Sequence, residues 1–150
     1  MPQSLSQILI HIVFSTKSRD PVLRPDIRER LYPFLGGIAR DCGSPMLDRS
    51  GVDDHVHLLC SLSRTISVAA LVKEIKSRSS TWMKSCGPAY RDFHWQSGYG
   101  AFSIGKSQQD DLARYFAKQE KHHTERDFKS EYRALLKKYG IEYDERYVWD

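Results

Sequence analysis

The run Asp53-Asp54-His55-Val56-His57-Leu58-Leu59-Cys60 decides how this chain is read. A β-strand sends successive side chains to opposite faces, so His55, His57 and Leu59 share one side while Val56, Leu58 and Cys60 share the other. Two neighbouring imidazoles on the same side of an otherwise apolar strand are an awkward way to build a core. They are a natural way to hold a metal ion, because neutral imidazole is a good ligand. Either histidine alone reads as a hydrogen-bonded structural residue; the co-facing pair points to ligation.

Upstream of this strand, Gln7 to Phe14 reads as another. Ile8, Ile10, Ile12 and Phe14 lie on one face, and Leu9, His11 and Val13 on the other. Lys17, Arg19 and Pro21 mark a basic loop, and a helix follows from about Asp26, a plausible N-cap. Its stripe is Ile27, Leu31, Phe34, Leu35 and Ile38, with a kink expected at Pro33. Cys42-Gly43-Ser44-Pro45 breaks it. Residues 46–52 and 54–62 form a strand pair with a tight join near Ser50-Gly51 or Asp53-Asp54.

Downstream, Ser67 caps a second helix with Val68, Leu71, Val72, Ile75 and Trp82 at helical spacing, and Gly87-Pro88 ends it. Phe93 to Ile104 reads as a strand interrupted at Gly98 and Gly100. A third helix opens at Ser107, with Asp110 completing a capping box, and runs to about His123. A fourth spans roughly 127–139, with Phe128, Tyr132, Leu135, Leu136 and Tyr139 inward and Gly140 as the stop. Ile141 to Asp150 is a short aromatic tail expected to dock on the body. The order β-α-β-β-α-β followed by helices predicts an α+β fold of ferredoxin-like, split β-α-β type, with an antiparallel sheet. In that topology the first and third strands lie side by side at the centre. With Val56 and Leu58 turned to the first two helices, the histidines face the other side, which the later helices must cover or border.

Bulk properties narrow the class less. A chain of 150 residues with 40% hydrophobic and 28% charged residues suits one globular domain, 1–150, with its own core. No apolar run reaches the roughly 18 residues of a membrane span. No basic segment precedes an apolar one at the N-terminus, so no secretory signal is expected. Cys42, Cys60 and Cys86 are odd in number without CxxC spacing, which fits free thiols in a cytoplasmic setting. A net charge of +4 and pI near 9.0 suit a polyanionic partner without requiring one.

Within the third predicted helix, Asp111-Leu112-Ala113-Arg114-Tyr115-Phe116-Ala117-Lys118-Gln119 places Tyr115 and Gln119 four apart, as neighbours on one face. The Gln119 amide oxygen offers a third ligand beside His55 and His57, which brings the Tyr115 phenol within a few ångströms of an ion. Two imidazoles and an amide suit Mn²⁺, Co²⁺ or Zn²⁺ by ligand preference. The plain alternative for Tyr115 is an amphipathic core residue beside Leu112 and Phe116. Asp54 reads as a turn former, with orientation of an imidazole as its second possible role.

The ordered combination of His55-Val56-His57 and, some 60 residues on, helical Tyr115-x-x-x-Gln119 resembles the single-tyrosine transposases of the HUH superfamily, which mobilise bacterial insertion sequences as single-stranded DNA. The resemblance takes in the basic loop Thr16-Lys17-Ser18-Arg19 and the segment Trp95-Gln96-Ser97-Gly98-Tyr99-Gly100-Ala101-Phe102-Ser103. The ending Gly140-Ile141-Glu142-Tyr143-Asp144-Glu145-Arg146-Tyr147-Val148-Trp149 is similar to the subgroup allied to repetitive-palindrome-associated tyrosine transposases.

That resemblance implies a metal-dependent single-stranded DNA endonuclease and strand-transferase working through a 5′-phosphotyrosine bond. Tyr115 would be the nucleophile, His55, His57 and Gln119 the ligands, Mg²⁺ or Mn²⁺ the ion, and hairpin-bearing single-stranded DNA the partner. Family members work as homodimers, with the tyrosine helix of one subunit completing the other's site, or as monomers; both remain open here.

Lys17 and Arg19, in the loop beside a central strand, are the first candidates for DNA contact. Lys73, Lys76 and Arg78 on the second helix are further ones, against the plain reading of a solvated helix face. His11, on a strand neighbouring the histidine pair, is not assigned as a ligand. His122 and His123 read as helix-end residues complementing the dipole, and His94 and Trp95 as packing residues.

Two other functions compete. A phosphoesterase built on paired His-x-Thr motifs finds one such triplet, His122-His123-Thr124. A non-catalytic ferredoxin-like nucleic-acid-binding module would carry structural histidines where such modules carry stacking aromatics.

Overall fold

The computed structural model describes residues 2–119, 121 and 126–150. Four strands make one antiparallel sheet: β1 (Leu9–Ser15), β2 (Met46–Val52), β3 (His55–Ser61) and β4 (Gly100–Ile104), in the order β2-β3-β1-β4. The central pair is β1 and β3, as the split β-α-β order requires. The four helices described here are α1 (Pro25–Asp41), α2 (Val68–Lys84), α3 (Gln109–Ala117) and α4 (Phe128–Lys138).

Alternation along the central strands divides the molecule into two layers. Ile10, Ile12 and Phe14 of β1, with Val56, Leu58 and Cys60 of β3, meet Leu31, Leu35 and Ile38 of α1 and Leu71, Val72 and Ile75 of α2. Every one of these side chains is buried, and this is the main core. The opposite face carries Leu9, His11 and Val13 of β1 with His55, His57 and Leu59 of β3. Phe116 of α3 covers Leu9 and Leu59, while Phe128, Tyr132 and Leu136 of α4 cover Val13 and Phe102.

The turn before β3 is Asp53-Asp54, and it is pinned from several sides. Leu23 N–H donates to Asp53 O, Thr16 N–H donates to Asp54 O, and Arg28 Nη1 holds Asp53 Oδ1 at 2.8 Å. These bonds fix where β3 begins and therefore which residues face α3 and α4.

Several boundaries differ from the sequence reading. Helix α1 starts at Pro25 with Arg24 before it, rather than at an Asp26 cap, because proline is pre-set for the first helical position. It runs through Pro33, which lies on its exposed side, where water can satisfy the carbonyl that proline leaves unpaired. Ser67 does cap α2, accepting from Ala70 N–H at 3.0 Å.

The predicted strand 93–104 is regular only from Gly100. Before it, Trp95 makes a lone bridge to Thr16, and its ring packs edge-on against Phe14 with Nε1 donating to Ser79 Oγ. The third helix is shorter than 107–123. A 3₁₀ turn over Lys106–Gln108 leads into α3, and the Ser107/Asp110 box is replaced by Gln108 Oε1 accepting from Gly105 N–H at 2.8 Å. Lys118 already leaves helical geometry. His122, His123 and Thr124 lie outside the described residues.

The tail docks as expected. Trp149 packs on Phe128 and Tyr132, Arg19 Nη1 donates to Trp149 O, and Gly98 N–H donates to Asp150 O.

Gly100 leaves room for a side chain of α4, because a Cβ there would stand 2.6 Å from Tyr132 Cε1 and 3.1 Å from Val13 Cγ1. Gly100→Ala is expected to lower unfolding free energy by about 1–3 kcal/mol, the usual cost of overpacking, as read from urea denaturation.

Candidate active site

Four side chains converge on one buried carboxylate. Glu131, on α4, is 2% exposed, and its two oxygens serve different partners. Oε1 lies 3.0 Å from His57 Nε2 and 3.2 Å from His55 Nε2. Oε2 accepts from the Tyr115 hydroxyl, and from Gln119 Nε2 at 3.0 Å. A buried carboxylate is tolerated only when it is this well supplied with donors.

Each imidazole is held from behind. Asp54 Oδ1 lies 2.7 Å from His55 Nδ1, so Asp54 both makes the turn and orients the ring. His11 Nε2 lies 2.8 Å from His57 Nδ1, both rings being fully buried. His55 and His57 thereby turn Nε2 toward Glu131. Burial opposes charge on His55, but its bonds to Asp54 and Glu131 outweigh that and raise its pKa above the ordinary imidazole value. Burial first, and His57 second, hold His11 well below that value, so it is neutral. Burial, then the Glu131 charge, push the Tyr115 phenol far above its usual range. In this arrangement the phenol is a donor, not a phenolate.

The donor set suits a divalent ion. One atom each from His55, His57 and Glu131 lies within 4.8 Å of the others. Adjacent ligands on an octahedral ion with bonds of roughly 2.1 Å stand about 3.0 Å apart, close to the separations seen here. Gln119 Oε1 is buried and accepts no hydrogen bond among the described residues, an orphan acceptor beside this cluster.

The sequence reading put the Gln119 amide third in the set; the structure brings Gln119 to the same spot but sets its Nε2 against the carboxylate. Glu131 escaped that reading. Its signal was present, since it lies on the apolar stripe of α4, three residues after Phe128 and four before Leu135. Tyr115 and Gln119 do share a direction, although α3 ends between them.

Space for a substrate flanks the cluster on two sides. A cavity of about 280 Å³ between α3 and α4 is lined by His11, Gln108, Asp111, Tyr115, Lys138 and Tyr139 among others. A more polar one of about 390 Å³, at the β2 edge, includes Arg28, Tyr32, Arg49, Ser50 and Gln119. Ser50 Oγ donates to Phe116 O at 2.7 Å and ties the tyrosine helix to that edge.

The expected DNA-contact residues are scattered. Lys17 is exposed, in a loop where Ser18 and Arg19 take positive φ of 57° and 54°. That loop lines a cavity of about 440 Å³ with Tyr90, Phe93 and His94. Lys73 is exposed, and Arg78 pairs with Asp41. Lys76 turns inward, its ammonium donating to the carbonyls of Gln96, Ser97 and Gly98 and lying over the Phe14 ring. Lys76→Met, which strips three carbonyls of a donor, is expected to cost about 1–3 kcal/mol in a denaturant titration. Lys73→Met is expected to stay within about 0.5 kcal/mol of the parent.

No helix among the described residues is long and apolar enough to cross a membrane. Comparison with known proteins bears on the family and the fold. The family model described as "Transposase IS200 like" matches residues 4–119. The ISDra2 transposase TnpA of Deinococcus radiodurans is 28% identical over 89 residues, 59% of this chain and 64% of that protein, so the match spans less than two thirds of the relative. Among solved structures, a protein of Deinococcus radiodurans R1 assigned provisionally as a transposase superposes with TM-score 0.63 at 22% identity, covering 79% of this chain and 98% of the other. A REP-associated tyrosine transposase bound to a REP hairpin gives TM-score 0.61 at 14% identity, covering 82% and 72%. These two likenesses establish the fold, and the family match extends over most of the chain: this protein belongs to the IS200-like transposases.

Proposed function

We propose that this transposase cuts and rejoins single-stranded DNA through a covalent bond to Tyr115, at a metal site made by His55, His57 and Glu131. The observation that carries the reading is the Glu131 carboxylate, whose one oxygen faces both imidazoles while the other holds the phenol. Gln119 keeps that carboxylate in place and offers its own buried oxygen to the same ion.

A bound divalent cation, Mg²⁺ or Mn²⁺, supplies positive charge that offsets the scissile phosphate and makes the phenol easier to ionise. The chain's residues do the rest. Glu131 Oε2 takes the phenol proton as Tyr115 Oη attacks phosphorus; the P–O3′ bond breaks, and the 3′ oxygen leaves as a hydroxyl by taking a proton from water. The 5′-phosphotyrosine conserves the phosphodiester bond energy, so a later 3′-OH can attack it and rejoin strands without ATP. Lys138, at the cavity beside Tyr115, and Arg49, at the opposite opening, bring positive charge near the path of the backbone. Lys17 and Arg19 remain candidates for contact further from the chemistry.

The substrate is taken as DNA with a hairpin, in line with the fold likeness to a transposase bound to one. The phenol and the imidazoles meet within one chain, which supports a site competent in a monomer; a homodimer is compatible with it. Three free cysteines support a reducing, cytoplasmic setting.

Incubation of the protein with a single-stranded DNA hairpin and Mn²⁺ is expected to give a covalent protein–DNA band on a denaturing gel. Tyr115→Phe should remove it, with a loss of at least roughly 10³-fold. Cutting that persists in Tyr115→Phe would make water the nucleophile. Binding with no cutting under any metal would favour the non-catalytic nucleic-acid-binding module instead.

A further inference from the structure

We infer that His11 is a positioning residue that decides which nitrogen of His57 carries the proton, and so whether His57 can ligate; this rests on the metal reading above. His11 is 1% exposed on β1, with Phe102 and Phe116 rings at 5.9 and 5.3 Å. Amid these apolar neighbours its Nε2 lies 2.8 Å from His57 Nδ1, the two rings stacking at 5.1 Å.

A neutral imidazole has one N–H and one lone pair, so this contact has two proton arrangements. In the first, His11 Nε2–H donates to His57 Nδ1, and His57 Nε2–H donates to Glu131 Oε1 at 3.0 Å. Both N–H groups are used, but His57 Nε2 has no lone pair for an ion. In the second, His57 Nδ1–H donates to His11 Nε2, the proton of His11 sits on its Nδ1, and His57 Nε2 is free to ligate. No proton is gained or lost between them. Each ring only exchanges which nitrogen bears its hydrogen.

His55 has no such choice. Its Nδ1 faces the Asp54 carboxylate at 2.7 Å, which only accepts, so Nδ1 keeps a proton and Nε2 is the nitrogen that can ligate. The two ligands are thus unlike. His55 is preset, while His57 is set by a partner that can either give or take. An apolar side chain at position 11 would remove the His11 Nε2 acceptor from His57 Nδ1 and favour the blocked arrangement, with the proton against Glu131.

Calorimetric titration with Mn²⁺ alone tests this on the parent, His11→Leu and His11→Gln, each checked for folding by thermal melt. His11→Leu is expected to weaken Mn²⁺ binding roughly 10- to 100-fold. His11→Gln, whose amide oxygen accepts from Nδ1–H, is expected to retain most of the affinity. Unchanged affinity in folded His11→Leu overturns this inference alone; a parent that binds no Mn²⁺ overturns the metal reading and this inference with it.

Should His11→Leu not fold, ¹⁵N shifts of the parent imidazoles with and without Zn²⁺ decide the matter. The expected result is a move of the His57 proton to Nδ1, and of the His11 proton to Nδ1, on adding Zn²⁺. A His11 that keeps its proton on Nε2 in the Zn²⁺ form overturns the proposal.

Discussion

The burial of one carboxylate, Glu131, organises this molecule's working face. A charge removed from water to this degree is costly unless donors replace the lost hydration. Here a phenol, an amide and two imidazoles surround it within 3.2 Å. The same contacts that make the carboxylate tolerable tie α3 and α4 to β3, which lies far upstream of both in the chain. They also leave a compact set of nitrogen and oxygen donors, and stability and chemistry therefore draw on the same residues.

The fold makes this meeting possible by dividing its labour across the sheet. One face of β1 and β3 is committed to an apolar layer under α1 and α2, which gives the strands a rigid reference. The other face is covered more thinly, by α3 and α4, and its apolar contacts split into two smaller groups on either side of the histidines. Between those groups the polar cluster sits with cavities to either side. Tyr132, next to Glu131 on α4, packs closely over Gly100 of β4.

Much of this was legible from residue order. Alternation around His55-Val56-His57 gave the strand's two faces, and the β-α-β-β-α-β order gave the central place of β1 and β3, both as observed. The spacing of Tyr115 and Gln119 predicted that both reach the same place, and both touch Glu131. Glu131 itself was hidden because periodicity arguments gather apolar residues and pass over a lone acid among them. The pairing of His11 with His57 was equally hidden, since it depends on how two strands align across 46 residues of sequence. Lys76 shows the opposite failure: on a helix wheel it is a surface cation, yet a long flexible stem lets its ammonium fold back onto three carbonyls.

Helix ends were the least readable feature. The caps at Arg24 and Gly105 displaced the Asp26 and Ser107 expected from residue preference, because Pro25 and Gln108 supply stronger local reasons to begin a turn there. At these two helix starts the boundary moved by two residues, without changing which side chains face the site.

Anomalous diffraction from crystals grown with Mn²⁺ would test the central claim most directly. The account predicts one strong peak bonded to His55 Nε2, His57 Nε2 and a Glu131 oxygen of the same chain, with the Tyr115 hydroxyl beside it. A peak elsewhere, or none on these donors while Glu131 stays bonded to the phenol and imidazoles alone, would contradict it.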